Sequence, residues 1–496
     1  MCTKHIFFVI GGSSMIALSI LLRHINISDL LYGKQDVDLA VCILSARNNF
    51  NYRDAIRRSW LKDFEPHHKK KSAVAKFILG NMDCPIHPKD RLDPHECQAW
   101  EPKIPEKTTE ITAFSMVARE DRVDCQIVQL FYVKVMHDVI LRGLGVVEVF
   151  PFENLASNDS VQIVLYDSVT NDEITSVLFT QEQGIKSNGF LYKPVQELQL
   201  PKGYEFTLVV ISPTHIKWKA CESSPAAGDH TSLPTTGWTT KSTHHNLLLV
   251  EFLDTDDTLF ANNNGVELLA AASLMFSLHD VPSLQRHISL SKQRALAWQE
   301  EIRTVASQLQ DEEARHGDVV QVTLMDVYRN LPQKLLMCHA WLHESFNPRF
   351  VMKTDDDCFV NVAQVMDALP RDEPERVVWW GNFRKNWAVE RHGKWREPTF
   401  SSSVYPKFAC GSGYAVSNKI HSWFIQNRDL FHKFQGEDVS TGIWLSALDV
   451  AHIQDDRWYC GRTCHGDALS VPELTAGMVW WHWNNSKHCP SPCQPC

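Results

Sequence analysis

Glycine and proline are scarce, 22 and 23 of 496 residues, which excludes a collagen-like or low-complexity chain. An excess of positive charge is also missing. With 49 Lys and Arg against 59 Asp and Glu, the formal net charge is −10, so no basic field exists to hold a phosphate backbone and no nucleic-acid partner is expected. The 14 cysteines are too few for a small disulfide scaffold. What is present is a globular composition, 44% apolar and 22% charged. At about 150 residues per domain, the chain has room for about three domains.

One uncharged apolar run stands at the start, Ile6 to Leu22, between Lys4 and Arg23. It is slightly short for an average bilayer but suits a thin one. A cleaved signal peptide and a retained signal anchor both fit such a run. Ala17-Leu18-Ser19, the one cleavage-like triplet, lies inside it, which favours the anchor. The expectation is a single-pass type II membrane protein: residues 1–5 cytoplasmic, 6–22 spanning, 23–36 a stem, and the remainder in the lumen of the Golgi and/or the endoplasmic reticulum. An oxidising lumen makes Cys460, Cys464, Cys489, Cys493 and Cys496 disulfide candidates. Zinc is the rival for Cys489-x-x-x-Cys493-x-x-Cys496, although no downstream His pair accompanies it. Asn158-Asp159-Ser160 and Asn484-Asn485-Ser486 are glycosylation acceptors if lumenal.

Val37–Leu44 reads as a buried strand and breaks into the turn residues Ser45 to Asn49. A helix over Arg53–Trp60 follows, with Arg53 and Arg57 on one face, and then a strand over Val74–Leu79 closed by Gly80. Strand, helix, strand opens an α/β sheet over residues 37–83. Residues 84–121, rich in Pro, Lys and Glu, read as a connecting segment. Between residues 122 and 263 short β-branched runs such as Ser160–Tyr166, Ile174–Phe179, Phe206–Ile211 and Asn246–Phe252 predict an all-β inserted domain, a sandwich. From residue 264 to 496 a helical connection, with a long polar helix near Gln293–Gln310, leads back into the α/β pattern at Val319–Leu324.

Asp355, Asp356 and Asp357 follow directly on the apolar Phe350-Val351-Met352. They therefore stand at the C-terminal end of a buried strand, where open α/β sheets bind ligands. Adjacent carboxylates repel and are stable together around a cation. Oxygen donors select Mg²⁺ or Mn²⁺, ions that keep positions open for substrate phosphates. The bland alternative, a solvated acidic turn, is disfavoured by the apolar residues on both sides.

In order and spacing, Asp326-x-Tyr328-x-Asn330-Leu331-x-x-Lys334, Lys353-Thr354-Asp355-Asp356-Asp357, Tyr405-Pro406-x-Phe408-x-x-Gly411-x-Gly413-Tyr414 and Glu437-Asp438-Val439-x-x-Gly442 resemble the motif set of the β-1,3-glycosyltransferase family. Arg53-x-Ala55-Ile56-Arg57-x-Ser59-Trp60 and Phe77-Ile78-Leu79-Gly80 are similar to its opening motifs. The resemblance implies a GT-A nucleotide-sugar-binding, Rossmann-like α/β domain. It implies Mn²⁺, with Mg²⁺ the alternative, held by Asp355 and Asp357. It makes Asp438 the catalytic base, and places Arg47, Arg53, Arg57, Asp355 and Asp356 toward a UDP-sugar donor. Trp379, Trp380, Trp387 and Glu437 are candidates for the acceptor side, and Trp395 for a further sugar-stacking face; core packing is the competing role for each tryptophan. The family often adds a late His to the metal, and His465 and His482 are both available.

The implied reaction is inverting transfer of N-acetylgalactosamine in β-1,3 linkage to a terminal N-acetylglucosamine of a glycoprotein glycan, with O-mannosyl glycans of α-dystroglycan among the implied acceptors. The same triad and base also serve galactosyl- and N-acetylglucosaminyltransferases. A non-catalytic sugar-binding lumenal protein is the alternative of another class; retention of the three Asp residues and Asp438 counts against it. A metal-dependent phosphohydrolase would want further carboxylate or His ligands at recognisable spacing, and none stands there.

Overall fold

The computed structural model describes residues 34–119, 125–214, 216, 237–253, 267–371, 376–462 and 464–496. The expected anchor, residues 6–22, lies outside them. Among the described residues no helix is long and apolar enough to cross a membrane. The chain divides into two compact units: Met1–Asp83 with Val305–Ala388 and Val404–Cys496, and Cys84–Thr304 with Val389–Ser403.

The first unit is an α/β domain, and its main elements are numbered here within it. They are β1 (Gln35–Leu44), α1 (Phe50–Arg58), β2 (Ala73–Met82), α2 (Ser291–His316, continuous with the second unit), β3 (Val319–Met325), α3 (Leu331–Ser345), β4 (Phe346–Asp355), β5 (Val378–Arg384), β6 (Phe408–Ser417), α4 (Asn418–Asn427), α5 (Glu437–Leu445), β7 (Ala451–Gln454) and α6 (Ala476–His488). One seven-stranded sheet runs in the order β3-β2-β1-β4-β6-β5-β7. Its first four strands are parallel, and β6 is antiparallel to both β4 and β5. The strands are apolar on both faces because helices cover both: Leu39 to Leu44 are all buried in β1, and Phe350 to Met352 in β4. Disulfide Cys42–Cys338 ties β1 to α3.

The second unit is β-rich. One five-stranded sheet contains Ile185–Ser187, Phe190–Leu200, Val139–Val147, Ala272–Leu278 and Ile111–Thr112; the other contains Leu248–Phe252, Leu130–Val135, Glu205–Ile211, Val161–Asp167 and Glu173–Phe179. Every pairing within these sheets is antiparallel. Leu144, Phe190 and Phe276 of the first sheet and Phe131, Ile163, Phe206 and Leu208 of the second fall in one buried cluster, so the sheets share a core.

This unit is larger than the insertion that short strands alone delimit. Residues 84–121, read as a connector, contribute the strands Ile111–Thr112 and Phe114–Arg119, buried Trp100 and the disulfide Cys84–Cys97. Residues 267–278, read as the start of a helical stretch, form the strands Glu267–Ala270 and Ala272–Leu278. Their Glu, Leu, Ala and Met favour a helix intrinsically. Pairing of Ala272–Leu278 between two other strands, with burial on both faces, overrides that preference.

Candidate active site

Strand β4 lies inside the sheet between β1 and β6. Its last residues, Lys353 to Asp355, emerge level with Cys42 to Leu44 of β1 and Gly413–Tyr414 of β6. The chain then turns through Asp356 and Asp357 into the short strand Phe359–Val360, which pairs with Ser470–Val471. The change from apolar to acidic residues thus coincides with the strand leaving the core.

Lys353 is the centre of the site. Its ammonium donates to Asp355 Oδ2 at 2.9 Å, to Glu437 Oε1 and to the carbonyl of Gly411. Burial alone would lower its pKa; Asp355 and Glu437 outweigh that and hold it well above the ordinary lysine value. Glu437 and Asp438 form the first turn of α5, where the amide of Val439 donates to Asp438 Oδ1 at 2.8 Å and the helix dipole favours negative charge. Desolvation and the neighbouring Glu437 nevertheless push the Asp438 carboxyl up to about 7, against the pull of Lys353. Gly411 keeps the space open: a Cβ there would stand 3.1 Å from Glu437 Oε1 and 3.5 Å from both Asp438 Oδ2 and Lys353 Nζ.

Ligand atoms of Asp355, Asp357 and Cys358 lie within 4.8 Å of one another. Two carboxylates with open access fit a hard divalent cation of the Mn²⁺ or Mg²⁺ type. The Asp355 side chain is about a third exposed (35%), and desolvation in the cleft, Glu437 and Asp357 together raise its pKa to about 8. Asp356 faces elsewhere. It accepts hydrogen bonds from Ser45 Oγ at 2.6 Å and Asn49 Nδ2 at 2.9 Å, so it holds the loop after β1 and stands outside the cation cluster.

The three arginines placed toward the donor by resemblance have protein partners. Arg47 donates to Asp83 (2.7 Å), the Gly80 carbonyl (2.8 Å) and Gln321 (3.1 Å). Arg53 is fully buried. It makes a bidentate pair with Glu312 and also donates to Ser45 Oγ at 2.9 Å and to the carbonyls of Ala46 and Arg47. Arg57 pairs with Asp318 and Glu312. The shared face of Arg53 and Arg57 is therefore turned to acids of α2 and the turn after it. Arg53 holds Ser45, which in turn holds Asp356, and Arg57 holds Glu312, the partner of Arg53. The Asp326–Lys334 motif acts on the same loop: Lys334 Nζ donates to Asp326 and to the carbonyl of Ser45 at 3.0 Å, and Asp326 accepts from the amide of Gly80 at 3.1 Å.

Trp379 and Trp380 are buried (0% and 2% exposed), Trp379 against Tyr414 and His452, Trp380 against Trp458. Adjacent residues of a strand point to opposite faces, and both faces of this sheet are covered, so neither ring is a sugar platform. Trp387 is exposed, with the Arg384 guanidinium 4.2 Å from its ring centre, and Trp395 is exposed in the β-rich unit. Glu437 is buried in its ion pair with Lys353. His465 is exposed; His482 is buried, bonds the Pro492 carbonyl at 2.9 Å and stacks on Phe359. Neither belongs to the acidic cluster. The late cysteines are disulfides, Cys410–Cys460, Cys464–Cys493 and Cys489–Cys496, which removes the zinc alternative. Asn158 is exposed in a turn, whereas Asn484 is half-buried in α6.

Sequence reasoning named the acids and missed what holds them. Lys353 stood inside the quoted motif without a role, though a lysine before three acids at the end of an apolar strand is a signal for an internal counter-ion. Ser45, Asn49 and Glu312 gave no such signal.

Residues 299–456, which include Asp355 to Asp357 and Asp438, match the model of the galactosyltransferase family. Over 473 residues the chain is 32% identical to the UDP-GalNAc:β-1,3-N-acetylgalactosaminyltransferase 2 of Xenopus laevis, an alignment covering 94% of this chain and 93% of that protein. The Homo sapiens protein of the same description is 30% identical over 473 residues, covering 92% and 89%. The β-1,3-galactosyltransferase 6 of Mus musculus is 34% identical over 168 residues, covering 32% of this chain and 52% of that protein.

Proposed function

The chain belongs to the galactosyltransferase family of β-1,3-glycosyltransferases, and on that premise we propose that it moves N-acetylgalactosamine from UDP-GalNAc, with inversion, to O3 of a terminal N-acetylglucosamine on glycoprotein glycans. The observation that carries this reading is the placement of Asp438 at the head of α5, joined through Glu437 and Lys353 to the Asp355–Asp357 turn. The donor sugar is read from the relatives. Those described by N-acetylgalactosamine align over nearly the whole chain, β-rich unit included, whereas the mouse galactosyltransferase aligns over a third of it.

Asp438 takes the proton of the acceptor hydroxyl. That oxygen forms the new bond to the anomeric carbon as the bond to the phosphate oxygen breaks, and UDP departs on the opposite face. Asp355 and Asp357 are the residues that would hold a divalent cation, Mn²⁺ by preference, and such an ion would supply positive charge to offset that of the departing diphosphate. Lys353 fixes Asp355 and Glu437, and Asp356 fixes the loop after β1. The same reading places the catalytic part in the lumen of the Golgi or endoplasmic reticulum behind an N-terminal anchor. In support, Cys410–Cys460, Cys464–Cys493 and Cys489–Cys496 are bonds that an oxidising compartment sustains.

The test is a panel of UDP-sugars with Mn²⁺ and a GlcNAc-terminated acceptor; O-mannosyl glycans of α-dystroglycan are the first glycoprotein acceptors to try. Consumption of UDP-GalNAc only when acceptor is present is expected. Preference for UDP-galactose or UDP-GlcNAc would reassign the donor, and acceptor-dependent consumption of none would favour a sugar-binding protein without turnover.

A further inference from the structure

The β-rich unit contains a cavity of about 350 Å³ that involves none of the residues discussed so far as catalytic. Its walls are the side chains of Phe114, Val250, Phe252 and Leu268, with Thr240, Ser242 and His244 as the polar members. Strand geometry explains the set. Thr240 and Ser242 alternate on the strand Gly237–Ser242 and so share a face, as do Val250 and Phe252 on Leu248–Phe252. Phe114 is the register partner of Ser242, and Phe252 that of Phe131. The rings of Phe114 and Phe252, 6.2 Å apart between centres, give the cavity an aromatic wall, backed by buried Phe131 at 5.6–6.0 Å from both.

Its polar members differ in what they already do. Thr240 Oγ1 accepts the amide of Ala270 at 3.0 Å. Ser242 is exposed at the rim. His244 is about nine-tenths buried, and its Nδ1 has no hydrogen-bond partner among the described residues. A buried ring nitrogen without a partner is uncommon in a folded protein. Desolvation pushes the His244 pKa down to about 4, so the imidazole is neutral near pH 7 and offers one donor and one acceptor.

Among the described residues no charged side chain lines the cavity, so its described walls offer no counter-charge to a nucleotide, a phosphate or an acidic peptide. The volume falls at the low end of about 300–1,000 Å³ for small-molecule sites, the size of a sugar residue. Aromatic rings suit the C–H face of a pyranose and the methyl of an acetamide; hydroxyls and a neutral imidazole suit its hydroxyl and amide groups. We propose that this cavity is a carbohydrate site that holds an N-acetylhexosamine residue of the acceptor glycan, built wholly from the β-rich unit. The identification of the ligand rests on the reading above that the acceptor is a glycan.

The probe is methyl N-acetyl-β-glucosaminide, added without any UDP-sugar to the full chain carrying Asp438→Asn, with binding read by saturation-transfer NMR and calorimetry. Ser242→Trp fills the cavity from its rim, and Phe252→Leu keeps its apolar bulk while removing an aromatic face. Each is expected to weaken binding at least about tenfold in a chain that still unfolds cooperatively, with Phe252→Leu lowering the melting temperature by only a few degrees. In the chain with Asp438 intact, the same substitutions should raise KM for a glycoprotein acceptor and leave kcat/KM for the small glycoside within about twofold. The same affinity in parent and both substituted chains would overturn the proposal, as would binding of a neutral alkyl chain in place of the sugar. Should Ser242→Trp unfold the unit, Phe252→Leu decides alone. Because binding is measured in a chain that cannot turn over, failure of the transferase reading leaves this result interpretable, and normal transfer without binding would overturn this proposal only.

Discussion

Lys353 and Glu437 form a buried ion pair, their side chains 1% and 7% exposed, that ties the end of β4 to the first turn of α5. The same ammonium reaches Asp355, so one cation sets the spacing between the acid proposed to hold metal and the helix that carries the proposed base. A buried carboxylate left without its partner costs about 3–5 kcal/mol. Lys353→Met should lower stability by about that amount, and Lys353→Met with Glu437→Gln should recover part of it. Chemical unfolding of the four chains of the cycle is the check. Equal losses in the single and double variants would mean that the pair is not what holds the two elements together.

Asp356 and Asp357 are neighbours with separate duties, and substitution should separate them. Asp356→Ala strands the Ser45 hydroxyl and the Asn49 amide, a loss of about 1–3 kcal/mol, while Mn²⁺ affinity stays within about threefold. Asp357→Ala should retain stability and lose the cation. A Mn²⁺ titration followed by electron paramagnetic resonance measures both. Similar loss of affinity in the two variants would show that all three carboxylates share the ion.

Much of this was readable in the chain, for reasons that also explain what was not. Asp355 to Asp357 could be placed because the end of an apolar run marks where a strand leaves the core. The common face of Arg53 and Arg57 could be read from helical spacing. Their partner Glu312 could not, since it lies 259 residues beyond Arg53 and nothing local points to it. Trp379-Trp380 looked like sugar-stacking rings because aromatic residues serve both surfaces and cores; only the covering of both sheet faces decides for the core. Ala272 to Leu278 misled in the opposite sense, its helix-favouring composition outweighed by strand partners on either side that lie far away in sequence.

Asp438 should impose an acid limb on transfer. Its carboxyl is raised to about 7, and only the ionised form can accept the hydroxyl proton, so kcat/KM should fall as pH drops through that value, approaching about tenfold per unit below it. Asp438→Asn, nearly isosteric, should bind donor normally and transfer at least about 100-fold more slowly, with the acid limb gone. An unaltered rate in this variant would move the base elsewhere, with Glu437 the first residue to test.

A second pH dependence comes from two imidazoles. His339 of α3 and His421 of α4 face each other through their Nδ1 atoms at 2.9 Å, both buried. Burial and the nearby His343 and Lys34 push His421 down to about 4, and burial beside His421 holds His339 well below 6.5. Both are therefore neutral in the fold while the unfolded chain takes up protons below about 6.5. The sign follows from this difference: the unfolded state binds more protons, so stability is highest above pH 6.5 and declines as pH falls toward 4. Two such groups remove about 2–3 kcal/mol between pH 7.5 and 5.5. Chains with Phe at 339 and Leu at 421, made as His339→Phe and His421→Leu together, should unfold in urea with a midpoint that changes less between those two pH values than that of the parent. Other depressed histidines, among them His244 and His287, contribute equally to both chains, so the difference between the two slopes isolates this pair. Parallel slopes would assign the acid sensitivity of the fold to those other groups.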